Sequence, residues 1–118
     1  MIVVDPGSPV PPFEQVRAQL SAEIHAGRLA AGSRLPTVRR LAEDLGVAVN
    51  TVARSYRELE AEGLVETRGR NGTVVSWSRD DAEHRLQQAA AGFAAQARAL
   101  GVAPEAARLL VDRALGLA

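Results

Sequence analysis

The 118-residue sequence contains no cysteine and no lysine, only four aromatic residues, and no long apolar run. The absence of cysteine excludes disulfides, thiolate zinc sites and cysteine nucleophiles. Without about 18 consecutive apolar residues there is no candidate membrane helix, and the first residues lack the basic segment of a secretory signal. These absences favour a cytoplasmic protein with no membrane partner.

Charge is balanced overall but unevenly distributed. Fourteen arginines and fourteen acidic residues give a net charge of zero, which argues against a nonspecific polybasic nucleic-acid binder. The acidic residues of the central region lie mostly toward the far ends of two predicted helices, so a neutral chain still presents one basic region. The arginines of this basic region are Arg34, Arg39, Arg40, Arg54, Arg57, Arg68 and Arg70.

Apolar residues at helical spacing predict three short helices after an extended, proline-rich arm at residues 1–12. Thr37 is the predicted N-cap of the second helix, and Gly46 is predicted to end it. The third helix starts at Ala48, which is a poor cap, and closes at Gly63. The three apolar stripes are Phe13, Val16, Leu20 and Ile24; Val38, Leu41, Ala42 and Leu45; and Val52, Tyr56 and Leu59.

A β-hairpin is predicted directly after the third helix. Two β-prone runs at residues 64–67 and 73–76 flank a tip that ends in Asn71-Gly72, a strong hairpin turn signal. Residues 28–36 are predicted to be a connection. The order predicts a winged helix-turn-helix domain at residues 1–77, which places side chains in a DNA groove while the wing clamps the adjacent backbone.

Two further helices are predicted at residues 78–118, separated by Gly101 and Pro104. About 40 residues are too few for an independent core, so we expect a homodimerisation segment, although the apolar stripe could instead cover the chain's own winged helix. The fold class is therefore mainly α with a small β-hairpin. The predicted dimerisation residues are Leu86, Phe93, Leu100, Leu109, Leu110 and Leu117.

The first turns of the third helix are the predicted reading surface, because that end of a recognition helix enters the major groove. Asn50 can pair with adenine, Thr51 with a base or phosphate, and Val49 can pack on a thymine methyl. Alternatively, Asn50 and Thr51 cap their own helix, and the arginines are ordinary surface charges. The predicted DNA-binding set is Arg39, Arg40, Val49, Asn50, Thr51, Arg54, Arg68, Gly69 and Arg70.

Several linked motifs over roughly residues 9–76 resemble the GntR family of bacterial transcription regulators. The resemblance implies that Arg39, Asn50, Thr51 and the pair Arg68-Gly69 touch DNA. Ala48, Val49 and Ala53 stand where polar or basic residues are usual in the family, so affinity should depend more on the arginines and on dimer geometry. The motifs are Gly32-Ser33-Arg34-Leu35-Pro36-Thr37, Asn50-Thr51-Val52, Tyr56-Arg57-Glu58-Leu59 and Glu62-Gly63-Leu64-Val65.

The short tail resembles the YtrA-like subfamily, which implies a homodimeric repressor. Two recognition helices related by a two-fold axis predict an inverted-repeat operator, and neither a cofactor nor a separate sensor domain is expected. His25 and His84 lack further ligands at metal spacing, and no catalytic constellation is present, so neither a metal site nor an enzyme is predicted. Zero net charge and the apolar Val49 and Ala53 leave one alternative, a protein-interaction winged helix that has lost DNA binding. The operator and any small-molecule effector are not specified.

Overall fold

Five helices and one short hairpin follow one another in this computed structural model, which describes residues 2–118. The predicted fold class, mainly α with a small β-hairpin, is confirmed, and no described helix is long and apolar enough to cross a membrane. Two units are distinguished, one ending at Arg79 and one from Asp80 to Ala118. The elements are α1 (Pro12–His25), α2 (Val38–Leu45), α3 (Val49–Ala61), β1 (Val65–Thr67), β2 (Thr73–Val75), α4 (Arg79–Ala99) and α5 (Pro104–Ala114).

The core of the first unit lies where α1 packs against α3. Tyr56 is buried, and its hydroxyl donates to the carbonyl oxygen of Pro36 at 2.7 Å. Burial raises the pKa of Tyr56 to about 12, since the phenolate form would lose its hydration. The predicted stripes are confirmed by the buried residues Val16, Leu20 and Ile24 on α1 and Val52, Tyr56 and Leu59 on α3.

The turn between α2 and α3 follows its predicted chemistry. Thr37 caps α2, since its hydroxyl oxygen accepts from the Arg40 backbone N–H at 3.1 Å. Gly46 adopts a left-handed φ of 68°, which lets the Val47 N–H bond back to the Ala42 carbonyl at 3.1 Å. The start of α3 has no side-chain cap at Ala48, so its first turn lacks that anchor.

The wing, which comprises β1, its tip and β2, differs from the prediction in two respects. The tip is a 3-10 turn (Gly69–Asn71), and the positive φ angles fall on Gly69 and Gly72 and not on Asn71, so the two-residue Asn-Gly turn is not formed. In addition, the connection predicted at residues 28–36 pairs with the wing, because Arg34 forms an isolated antiparallel bridge with Val74 of β2. The wing is therefore braced on both sides of β2.

The second unit consists of α4 and α5 joined by a short turn. After α4 the chain turns at Gly101, whose φ is 74°, and the Val102 N–H bonds to the Ala97 carbonyl at 2.9 Å. Pro104 begins α5, as expected for a residue that has no N–H to donate. Among the described residues of this unit, Ala107 is the one buried residue. Its apolar side chains are otherwise largely exposed.

Candidate nucleic-acid interface

The exposed face of α3 carries its basic residues and one amide side chain. Asn50, Arg54 and Arg57 are separated by four, three and seven residues, so they lie on the side of the helix opposite the buried stripe. Val49 is 43% exposed, whereas Thr51 is partly buried. The set of predicted contacts omitted Arg57, although its spacing of two turns from Asn50 places it on the same face.

Arg54 is held in place by two neighbours. Its guanidinium carbon lies 3.6 Å from the centre of the Phe13 ring on α1, and its Nε lies 3.6 Å from a carboxylate oxygen of Glu58. The side chain stays 55% exposed, so its remaining N–H groups are accessible. The apolar pattern places Phe13 on the buried stripe of α1, and no local pattern links it to Arg54, which is distant in sequence.

The two arginines at the start of α2 have different surroundings. Arg40 is exposed, but its Nε lies 3.3 Å from a carboxylate oxygen of Asp44 one turn later. Arg39 is also exposed and has no ion-pair partner in the described part of the chain. Arg39 therefore presents a free positive charge beside the helix-turn-helix, whereas that of Arg40 is partly neutralised.

The wing tip offers a small, open and basic surface. Arg68 pairs with Glu66 across one intervening residue, while Arg70 has no ion-pair partner among residues 2–118. At Gly69, whose φ is 52°, an added Cβ would meet no described atom within 4 Å, so another molecule can approach the backbone closely. Glu60 holds the wing to α3 by accepting the Thr67 N–H at 2.9 Å.

Acidic side chains near the ends of α1 and α3 are engaged by Arg17. It bonds to Glu14 one turn away and reaches Glu62 at 3.0 Å. The hydrogen bond from Arg17 lowers the pKa of Glu14, against a weaker opposing effect of burial. These carboxylates therefore do not pair with the basic residues of the wing and α2.

The predicted dimerisation residues are exposed on the second unit, and three of them meet. Phe93, Leu100 and Leu110 line one apolar groove between α4 and α5, while Leu86 and Leu117 are 70% and 74% exposed. Leu109 is exposed outside that groove. Within the described residues, no His, Cys, Asp or Glu cluster is placed to hold a metal ion.

Most of the first unit matches the sequence model of a known protein family, and the chain also matches curated relatives. The family model described as "Bacterial regulatory proteins, gntR family" matches residues 12–75. The chain is 50% identical over 99 residues to the HTH-type transcriptional regulator Rv1152 of Mycobacterium tuberculosis, covering 84% of this chain and 81% of that protein. It is 41% identical over 76 residues to the HTH-type transcriptional repressor YtrA of Bacillus subtilis, covering 64% and 58%, respectively.

Solved structures give the same picture. YtrA from Sulfolobus acidocaldarius, a GntR-family transcription factor, is 32% identical with a TM-score of 0.61, covering 76% of this chain and 97% of that one. The AraR DNA-binding domain in complex with operator ORE1 is 25% identical with a TM-score of 0.59, covering 63% of this chain and 96% of that one.

Proposed function

The chain belongs to the gntR family of bacterial regulatory proteins, and we propose that it is a repressor that acts as a homodimer on an inverted-repeat operator. Family members are DNA-binding transcription regulators and not enzymes. The observation that carries the proposal is the exposed start of α3 at Val49 and Asn50, together with the exposed Arg39 and Arg70, which have no ion-pair partner among the described residues.

Residues 1–77 form the proposed reading domain. Asn50 and Thr51 contact base edges in the major groove, and Val49 packs on a thymine methyl. The other contacts fix the register of the protein on the phosphate backbone and carry most of the electrostatic affinity. They come from Arg39, Arg40, Arg54, Arg68, Gly69 and Arg70, to which the exposed position of Arg57 adds a further candidate.

Residues 78–118 form the proposed homodimerisation segment. An isolated pair of helices with one buried residue, Ala107, has almost no core of its own. Burying a leucine stabilises an association by roughly 1.5–3 kcal/mol. A second copy that covers the groove of Phe93, Leu100 and Leu110 therefore stabilises the dimer. Two heads related by a two-fold axis then read half-sites about 10 base pairs, or a multiple of that, apart.

Repression is supported by the named repressor YtrA of Bacillus subtilis among the relatives. A dimer that occupies two half-sites hinders any other protein that needs the same stretch of DNA. No small-molecule effector is assigned to this chain.

The proposal is tested by fluorescence anisotropy on DNA from upstream of the protein's own gene, together with a promoter reporter. We expect tight binding that weakens steeply with salt, and a reporter signal that rises when the protein is removed. Salt-insensitive or absent binding, combined with a stable protein partner captured on α3, would instead support the interaction-module alternative.

A further inference from the structure

The arm, residues 2–11 of the described chain, runs antiparallel to α1 and is held by two glutamine side chains. The Val3 N–H donates to Gln19 Oε1 at 2.9 Å, and Gln19 Nε2 donates to the Val3 carbonyl at 2.7 Å. In the same way, the Asp5 N–H donates to Gln15 Oε1 at 2.8 Å, and Gln15 Nε2 donates to the Asp5 carbonyl at 3.0 Å. Gln15 Nε2 also reaches the Val10 carbonyl at 2.8 Å, so the arm is held at three points.

The geometry of a helix and a strand explains why this clamp works. Gln15 and Gln19 are four residues apart, which is a rise of about 6 Å along a helix. Val3 and Asp5 are two residues apart, about 6.6 Å along a strand. Since the two repeats nearly match, each amide can bond both backbone groups of one arm residue, as a neighbouring strand would.

The clamp orients the arm toward the helix-turn-helix. Ile2 and Val4, the two neighbours of the clamped Val3, pack against the core. Val4, Pro6 and Pro12 then form one wall of a groove of about 340 Å³. The opposite wall is the turn between α2 and α3 together with Ala48 and Thr51.

We propose that Gln15 and Gln19 are positioning residues for DNA recognition. The first turn of α3 has no side-chain cap, and Ala48 and Thr51 of this region line one groove with Val4 and Pro6 of the arm. A released arm changes the orientation of Asn50 and Thr51 without removing any charge. The inference rests on the proposed function, and it assigns the arm an effect on base discrimination and not on electrostatic affinity.

The test compares the double variant Gln15→Ala/Gln19→Ala of the whole chain with the wild type. We expect faster amide hydrogen exchange at Val3 and Asp5 and about a tenfold loss of preference for operator over scrambled DNA, the size of one mismatched base pair. The salt dependence of binding should not change. The control Ser21→Ala removes a polar side chain of α1 that bonds to His25 and not to the arm, and it should keep both properties.

The possible results distinguish the positioning role of Gln15 and Gln19 from the proposed function of the whole chain. Faster exchange with unchanged preference overturns the positioning role, as does unchanged exchange, which would show that other contacts hold the arm. A wild type without operator preference would contradict the proposed function itself. If thermal unfolding shows that the double variant is not folded, Gln19→Ala alone is measured with the same readouts, because Gln15 then still holds Asp5.

Discussion

Replacing Phe13 with leucine should weaken operator binding although it removes no charge and no group that touches DNA. The ring lies under the Arg54 guanidinium at 3.6 Å and helps to fix its direction. Leucine keeps an apolar side chain at this half-buried position but lacks the ring quadrupole that attracts a cation. The backbone should stay in place, because the buried Ser55 hydroxyl donates to the Phe13 carbonyl at 2.7 Å.

The size of the effect follows from the exposure of the pair. A cation–π interaction at an exposed site contributes about 0.5–1 kcal/mol, and the Arg54 side chain is 55% exposed. If this interaction pre-orders Arg54 for a phosphate or guanine, its removal from both protomers weakens the complex by about 1–2 kcal/mol, or roughly 5-fold to 30-fold.

Anisotropy titrations at several salt concentrations distinguish this effect from loss of charge. Phe13→Leu should raise Kd with an unchanged salt slope, whereas Arg54→Gln should also lower the slope by about 0.9 for each phosphate that the protein no longer neutralises. Arg57→Gln serves as the comparison, since Arg57 has no ion-pair partner in the described chain. Unchanged affinity in Phe13→Leu alongside clearly weaker binding by Arg54→Gln would refute the pre-ordering of Arg54.

Four further predictions concern other parts of the protein. Asn50→Ala should reduce discrimination against single-base operator changes by about 1–3 kcal/mol, while Arg70→Gln should weaken all sequences alike and lower the salt slope by about 0.9 per protomer. Leu110→Glu should give a monomer in sedimentation equilibrium, and a persistent dimer would count against that interface. Tyr56→Phe should lower the free energy of unfolding by about 0.5–1.5 kcal/mol, the usual net contribution of one hydrogen bond, because phenylalanine cannot donate to the Pro36 carbonyl. In the wild type the raised Tyr56 pKa contributes stability that is complete below pH 10 and is lost as pH rises to about 12; denaturation of Tyr56→Phe should lack this pH dependence.

The features that the sequence predicted correctly depend on residues close together in the chain. Thr37 caps α2 and Gly46 ends it because a cap or a left-handed turn is determined within a few residues. The buried stripe through Val52 and Tyr56 follows from helical periodicity. The DNA contacts and the dimer contacts stay predictions, since both concern molecules other than the single chain.

The features that the sequence did not predict are of two kinds. Some are contacts between residues far apart in the sequence, and one is the choice between similar turn conformations at the wing tip. Neither the pairing of Arg34 with Val74 nor the contact of Phe13 with Arg54 leaves a periodic signal. The wing tip contains a strong Asn-Gly signal, but the neighbouring Gly69 and Gly72 take the positive φ angles instead. Turn preferences therefore predicted the hairpin and not the conformation of its tip.

Selection of bound sequences from a random DNA pool by the whole chain, followed by mass measurement of the complex, tests the central claim most directly. A homodimer of winged helices should enrich two half-sites in inverted repeat, with centres about 10 base pairs or a multiple apart, and should bind with two protomers per site. Enrichment of a single half-site by one protomer, or no enrichment at all, would contradict a dimeric reading head.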